Sequence, residues 1–293
     1  DAGEDLIVNG VLDRYILPEP PADPKVKIIP AANSVSIYWD NKAELSIDPI
    51  SREEDFEGYR IYRSAAGDDV QQINDPDLLA QWDVQGNNVG YNNGFEPVRL
   101  AAPLYFDGDT TGYYYKYELS NLLNGWKHIL VITSFDKGDA ALGLASLESS
   151  FVANTFRTWP GSAVNNFTNK NPATKVGVYP NPYRIKAAWD GQPSDTRKLY
   201  FFNLPQQCEI RIYTLAGDVV AIFEHDAGNY NGSDINWFEN YAGSTDQRVF
   251  PGGEHAWDLL SESSQTITQG IYLFSVMDLA SGFKQEGQFV VIQ

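Results

Sequence analysis

Sulfur is scarce in this chain, which has one cysteine and one methionine in 293 residues. A single thiol, Cys208, cannot close a disulfide within the chain, and domains of this size need none. Histidine is also scarce. His128, His225 and His255 are far apart and show neither an H-x-x-x-H nor an H-E-x-x-H spacing, so the sequence offers no local zinc site or catalytic triad. No G-x-S-x-G elbow, phosphate-binding loop or G-x-G-x-x-G motif is present, which leaves serine-hydrolase and nucleotide chemistry without support. No apolar run is long enough to cross a bilayer as a helix. Basic residues are outnumbered, 21 against 39 acidic ones, for a formal net charge of −18. Such a surface repels nucleic-acid phosphates and anionic headgroups, so neither a nucleic-acid partner nor membrane insertion is expected.

Aromatics and turn formers are abundant. Tyr (17), Phe (15) and Trp (7) stand beside 24 Gly and 16 Pro. Aromatic residues pack well on pleated surfaces and Gly and Pro punctuate them, so the composition favours strands and turns over helices. The length suits two domains of ordinary size. Cys208 alternates with Ile210 and Ile212, which marks it as a buried structural thiol and not a nucleophile.

Residues 1–24 read as an approach segment inside a longer protein. It has one apolar stretch, Leu6-Ile-Val-Asn-Gly-Val-Leu-Asp-Arg-Tyr-Ile-Leu17, and then a proline hinge, Pro18-Glu-Pro-Pro-Ala-Asp-Pro24. The stretch can pack on its own domain, belong to a preceding one, or add as a strand to a neighbouring subunit. From Lys25 the period is two. Val35, Ile37 and Trp39 alternate with Ser36, Tyr38 and Asp40, and further strands are expected at 56–63, 113–119, 128–135 and 146–152. Residues 25–153 thus form a first sandwich, with residues 65–112 as a long insertion. Residues 154–174, rich in Asn, Thr and Pro, read as an interdomain linker. Residues 175–293 form a second sandwich of about seven strands with an insertion at 225–253. Cys208–Thr214 and Asp218–Glu224 form a hairpin in which Gly217 supplies the positive φ of a tight turn.

Two resemblances follow. Val35-Ser-Ile-Tyr-Trp-Asp40, Gly58-Tyr-Arg-Ile-Tyr-Arg-Ser64, Leu130-Val-Ile-Thr-Ser-Phe-Asp136 and Ser146-Leu-Glu-Ser149 resemble strands B, C, F and G of a fibronectin type III domain. Where that family places a tyrosine at the start of strand F this chain has His128, which is expected to take over the corner hydrogen bond, with metal ligation as the alternative. Tyr179-Pro-Asn-Pro182, Ile212-Tyr213 with Gly217, Trp257-Asp258, Gly270-Ile-Tyr272 and Gly287-Gln-Phe-Val-Val291 resemble the C-terminal sorting domain of the type IX secretion system of Bacteroidetes-like bacteria. A relative of that domain is the immunoglobulin-like domain of the flagellar hook-capping protein. The expected fold class is all-β, two tandem immunoglobulin-like or fibronectin III-like β-sandwiches. The second resemblance implies passage through the outer membrane, contact with the secretion machinery through the C-terminal domain, and a place outside the cell or on its surface.

Candidate sites are few. Asp107-Gly-Asp109 and Asp136-Lys-Gly-Asp139 sit at strand ends, where oxygen ligands on glycine turns can hold calcium; the alternative is a pair of solvated turns, with no cofactor at all. Glu53-Glu-Asp55 with Glu57 reads as a solvated run. Trp82, Tyr91 and Phe95 in the first insertion, and Tyr230, Trp237, Phe238 and Tyr241 in the second, can contact glycans or proteins or else cap their own domains. The leading expectation is a non-catalytic, secreted, cell-surface structural module. It would be a subunit or C-terminal part of an extracellular assembly such as a filament, sheath or surface layer, with other copies of itself or other surface proteins as partners. The runner-up is a glycan- or protein-binding accessory module of a larger secreted enzyme.

Overall fold

The computed structural model describes residues 7–8, 11–12, 17–64, 77–140, 143–165, 175–184, 197–232 and 247–292. Two short strands, β1 (Ile7–Val8) and β2 (Val11–Leu12), pair antiparallel with each other as a separate 2-stranded sheet. The first sandwich follows. It comprises β3 (Val26–Ala31), β4 (Ser34–Trp39), β5 (Phe56–Arg63), β6 (Asp77–Asp83), β7 (Arg99–Leu104), β8 (Tyr113–Ser120), β9 (His128–Asp136) and β10 (Thr155–Thr158). One sheet has the order β3-β4-β8-β7; β6, β5, β9 and β10 lie in the other. Alternation drives this arrangement. In β4 the residues Val35, Ile37 and Trp39 are buried and their neighbours are only half-buried, so one face of the sheet looks into the core. Trp39 anchors that core, stacked on Tyr115 at 5.4 Å and edge-on to Tyr59 at 5.7 Å. The hydroxyls of both tyrosines reach Glu44, at 3.2 Å from Tyr59 and 2.6 Å from Tyr115. Each ring is thereby buried without stranding its polar end.

Four expectations about this domain change. Within the span 65–112, the part from residue 77 on is not an insertion beside the sandwich: β6 pairs with β5 and β7 with β8, one in each sheet. The strand expected at 146–152 is reduced to an isolated bridge between Phe135 and Glu148. Around it, Asp136 N–H donates to Leu147 O and Ser149 N–H to Ser134 O, but the regular ladder along β9 is made by β10, pairing Thr155–Thr158 with Val131–His128. The supposed linker therefore opens as a strand of the first domain. Glu57, read as solvated, is buried and accepts from Asn87 Nδ2 at 2.8 and 3.0 Å.

The second sandwich contains β11 (Gly177–Tyr179), β12 (Tyr183–Arg184), β13 (Leu199–Phe202), β14 (Gln207–Thr214), β15 (Val219–Asp226), β16 (Gln247–Val249), β17 (His255–Trp257), β18 (Gly270–Asp278) and β19 (Lys284–Ile292). A sheet of order β12-β19-β18-β14-β15 faces a 3-stranded sheet β11-β13-β17. Gly217 turns the β14–β15 hairpin with φ +96°, as its position predicts. Cys208, Ile210, Ile212, Phe274, Val276 and Phe289 line the core between the sheets. The fold class read from the sequence, all-β sandwiches, is the one observed.

One strand leaves its own domain. β16, from the insertion of the second sandwich, pairs parallel with β10 and ends the 5-stranded sheet β16-β10-β9-β5-β6 of the first. The pairing sets Phe156, Arg157 and Thr158 opposite Gln247, Arg248 and Val249, and Val249 packs against the first core.

Candidate functional site

The region that brings most distant residues together is the joint between the sandwiches. It is built on the 3-stranded sheet, whose two faces are both covered. Val178, Leu199, Phe201 and Trp257 point into the second core. Tyr179, Tyr200 and Ala256 are their neighbours in sequence, and so they point the other way, where they meet Trp159 and Phe250. This explains the uninterrupted apolar run Leu199-Tyr-Phe-Phe202: a strand buried on both faces has no polar alternation. Trp159 and Phe250 stack at 4.3 Å with 4° between their planes, and Tyr179 stacks on Tyr200 at 5.0 Å.

Backbone seals the joint. Gly125, at φ +75°, donates to Pro160 O, and a Cβ on it would lie 2.7 Å from the Tyr179 ring. Gly161 N–H donates to Ala31 O and Gly253 N–H to Ser162 O. A Cβ on Gly253 would come within 2.0 Å of Ala163 O, so only glycine allows these two chains to run this close. Beneath them lies Glu254, 1% exposed. Its carboxylate accepts from Tyr179 Oη and from Ser162 N–H, each at 2.6 Å. Burial pushes its pKa up to about 7, against the pull of these hydrogen bonds.

Two of the three histidines meet here, although 30 residues separate them in sequence. Their Nδ1 atoms lie 3.3 Å apart, and His225 Nε2 is 2.8 Å from Gly252 O. A carbonyl can only accept, so His225 Nε2 carries a proton toward Gly252 O, and of the two facing Nδ1 atoms one donates to the other. The pair is thus tied into the backbone. Tyr230 lies 4.2 Å from the His255 ring, and its hydroxyl accepts from Ala256 N–H.

The residues nominated from sequence scatter. Trp82 lies on β6, buried against Trp39 and Tyr117 at 5.9 and 5.2 Å, and Phe95 packs on Phe56 and Tyr59. Tyr230 belongs to the joint. These three are core and joint groups, a correction to their reading as contact residues: the loop pattern showed their aromatic character but not which way they point. Tyr91 is 63% exposed, held by its N–H on the buried Asp83. Trp237, Phe238 and Tyr241 lie outside the described residues.

The four aspartates occupy two places on opposite sheets. Asp109 is committed to Lys25 Nζ at 2.8 Å, Thr111 N–H at 2.9 Å and Tyr113 Oη at 2.8 Å, and these donors hold its carboxyl well below the usual range. Asp107 sits in the same turn. Asp136 accepts from Gly138 and Leu147 N–H, both at 2.8 Å, while Asp139 N–H and O both bond Leu144. Among the described residues no three His, Cys, Asp or Glu side chains converge as a metal would need. Near Asp136, burial and then the charges of Asp136 and Asp48 push Asp55 up to about 6.

His128 makes no corner hydrogen bond, contrary to expectation. Its ring is 3% exposed, and both nitrogens are buried without a partner. Desolvation, and then the charge of Arg63, lower its pKa to about 4. Cys208 is fully buried, and burial pushes its thiol up to about 12.

The chain matches no protein-family model and no curated protein. Among solved structures it is similar to PorZ, a bacterial surface component of the type-IX secretion system of Porphyromonas gingivalis, at 14% identity and TM-score 0.28, over 92% of this chain and 23% of that one. It is similar to dimeric latent PorU from Porphyromonas gingivalis at 14% identity and TM-score 0.25, over 94% of this chain and 20% of that one. It is also similar to the central fibronectin-III array of RIM-binding protein at 11% identity and TM-score 0.24, over 100% of this chain and 72% of that one. Likenesses this slight say nothing of what the chain does.

Proposed function

We propose that this chain is a non-catalytic structural module, secreted to the surface of a Bacteroidetes-like cell, where it serves as a stiff subunit of an extracellular assembly. Its partners are other copies of itself or other surface proteins, and its C-terminal sandwich is its type IX export signal. The joint carries the structural part of this reading. A strand of one sandwich completes a sheet of the other, and a buried aromatic cluster fills the space between. A module that only tethers an enzyme has no need of a locked joint, whereas a load-bearing subunit does. The resemblance of Tyr179-Pro-Asn-Pro182 and Gly287-Gln-Phe-Val-Val291 to the sorting domain supports the export part.

Two experiments test it. Light scattering across a concentration series should show particles heavier than one chain; a strict monomer at high concentration removes the assembly. Residues 175–293 fused behind a reporter should carry it to the surface of a cell with an intact type IX system and not of one lacking it. Retention of the reporter inside both cells removes the export role.

The accessory-module alternative loses ground because, of the described aromatics nominated for ligand contact, Trp82 is in the core, Phe95 packs half-buried against it and Tyr230 packs against the joint. A glycan array that lights up through Tyr91 and fades in Tyr91→Ala would restore it.

A further inference from the structure

The second sandwich has an edge that no described strand fully covers. β19 pairs with β18 from Lys284 to Val291, but on its other flank β12 reaches only Val291 and Ile292. Asn181 continues that flank by side chain alone. Its Nδ2 donates to Gln288 O at 3.4 Å and its Oδ1 accepts from Val290 N–H at 3.1 Å. These bonds show which backbone groups face outward. If Gln288 and Val290 do, the two-residue period sends those of Glu286 and Lys284 the same way. Among the described residues no strand pairs with Lys284–Gln288 on this flank.

Across from it, β11 is the edge of the 3-stranded sheet. Between the two edges runs a groove of about 560 Å³, whose lining includes Val176, Val178, Phe202, Leu273 and Phe274. Glycines keep its walls low. A Cβ on Gly287 would stand 2.4 Å from the Phe274 ring, and one on Gly177 2.5 Å from the Phe202 ring. The lining is mixed, since Lys175, Asn181, Glu286 and Gln288 share it, and Gln285 Oε1 reaches across to accept from Val176 N–H at 2.9 Å. An edge that no described strand pairs on this flank at Lys284 and Glu286, beside such a groove, is the shape that takes an added strand.

The chain has a segment of matching character. Leu6–Leu17 is apolar, and its described strands, β1 and β2, pair with each other and, among the described residues, with no strand of either sandwich. A lone two-stranded hairpin is marginal in water. The segment also leaves the molecule at the end away from the joint. Ala22 N–H is held by Ser46 Oγ and Lys25 N–H by Asp40, beside the start of β3, whereas the joint grips the other end of that strand at Ala31. Copies set end to end would bring one copy's leading segment to the next copy's second sandwich.

We propose that the open edge Lys284–Gln288 receives the Leu6–Leu17 segment of a second copy as an added strand, its apolar side chains entering the groove. The contact is head-to-tail, so it repeats along a row and does not close a pair. This inference rests on reading the chain as an assembly subunit.

Cysteine pairing tests it, because native Cys208 is buried and does not compete. A chain carrying Val11→Cys or Leu12→Cys is mixed with one carrying Glu286→Cys. Adjacent strand residues face opposite ways, so one of the two shares a face with position 286 in any register. The expected result is a disulfide-linked dimer from one of these mixtures, with none when Glu286→Cys is replaced by Glu224→Cys on β15, the far edge of the same sheet. Equal linkage at both sites, or no linkage in either mixture, overturns the proposal. Light scattering of V11D/L12D separates the two claims. A smaller particle supports strand addition. An unchanged multimer overturns strand addition and leaves the assembly standing, and a wild-type chain that is monomeric throughout overturns both.

Discussion

Trp159 and Phe250 stack face to face across the joint, one from the end of the first sandwich and one from the strand that the second sandwich lends to it. The pair lies where the chain crosses between domains in both directions, a position from which it is expected to couple the unfolding of one to that of the other.

Phe250→Ala should therefore do more than weaken the fold. Truncating a buried phenylalanine costs about 3–5 kcal/mol, and here the loss falls on the coupling. Urea unfolding is expected to change from one transition to two, with Trp159 fluorescence shifting red in the first. A single transition, merely moved to lower urea, would mean that the domains are coupled elsewhere.

Glu254 makes the joint sensitive to alkali. Its folded pKa, about 7, lies above the ordinary 4.5, so the folded chain holds the proton more tightly than the unfolded one. The stability it contributes is complete below pH 4.5 and is lost as pH rises through about 7, roughly 3 kcal/mol for this group alone. Glu254→Gln should flatten the change in urea midpoint between pH 5 and pH 8.5. Parallel profiles for variant and wild type would count against it.

His128 acts with the opposite sign. Its pKa of about 4 lies below the ordinary 6.5, so its contribution is complete above pH 6.5 and is lost as pH falls through about 4, again roughly 3 kcal/mol. His128→Phe replaces two unpartnered nitrogens with apolar surface. It should be as stable as wild type or more so at pH 7, and should lose less on acidification. Greater acid sensitivity in the variant would show that the imidazole is satisfied in solution.

Cys208 should not react in the folded protein, since the thiol is buried and its pKa is raised to about 12. Labelling with a thiol reagent at pH 8 is expected only in denaturant. Rapid labelling of the native chain would place Cys208 at a surface.

Much of the fold could be read from local pattern. Val35, Ile37 and Trp39 announce β4, and Cys208, Ile210 and Ile212 announce β14, because alternation is a property of a few consecutive residues. Gly217 likewise marks its own turn. The site was far less legible. Tyr179, Glu254 and His255 looked like unrelated residues, and the run Gly161–Ala163 looked like linker, because each is explained by a partner many positions away. Trp82 was read as a loop aromatic because nothing local shows that 77–83 is a strand of the sandwich and not an excursion from it.

Taken alone, the sequence determines that the chain is pleated, aromatic-cored, acidic and free of disulfides. Those properties follow from composition and from spacings of two or three residues. Only the tertiary structure decided that Gln247–Val249 finishes a sheet of the first domain, that the linker opens as a strand, and that a glutamate and two histidines are buried where the domains meet. Strand pairing between distant segments depends on edges that become available only after each sheet has formed, and no short window of sequence carries that information.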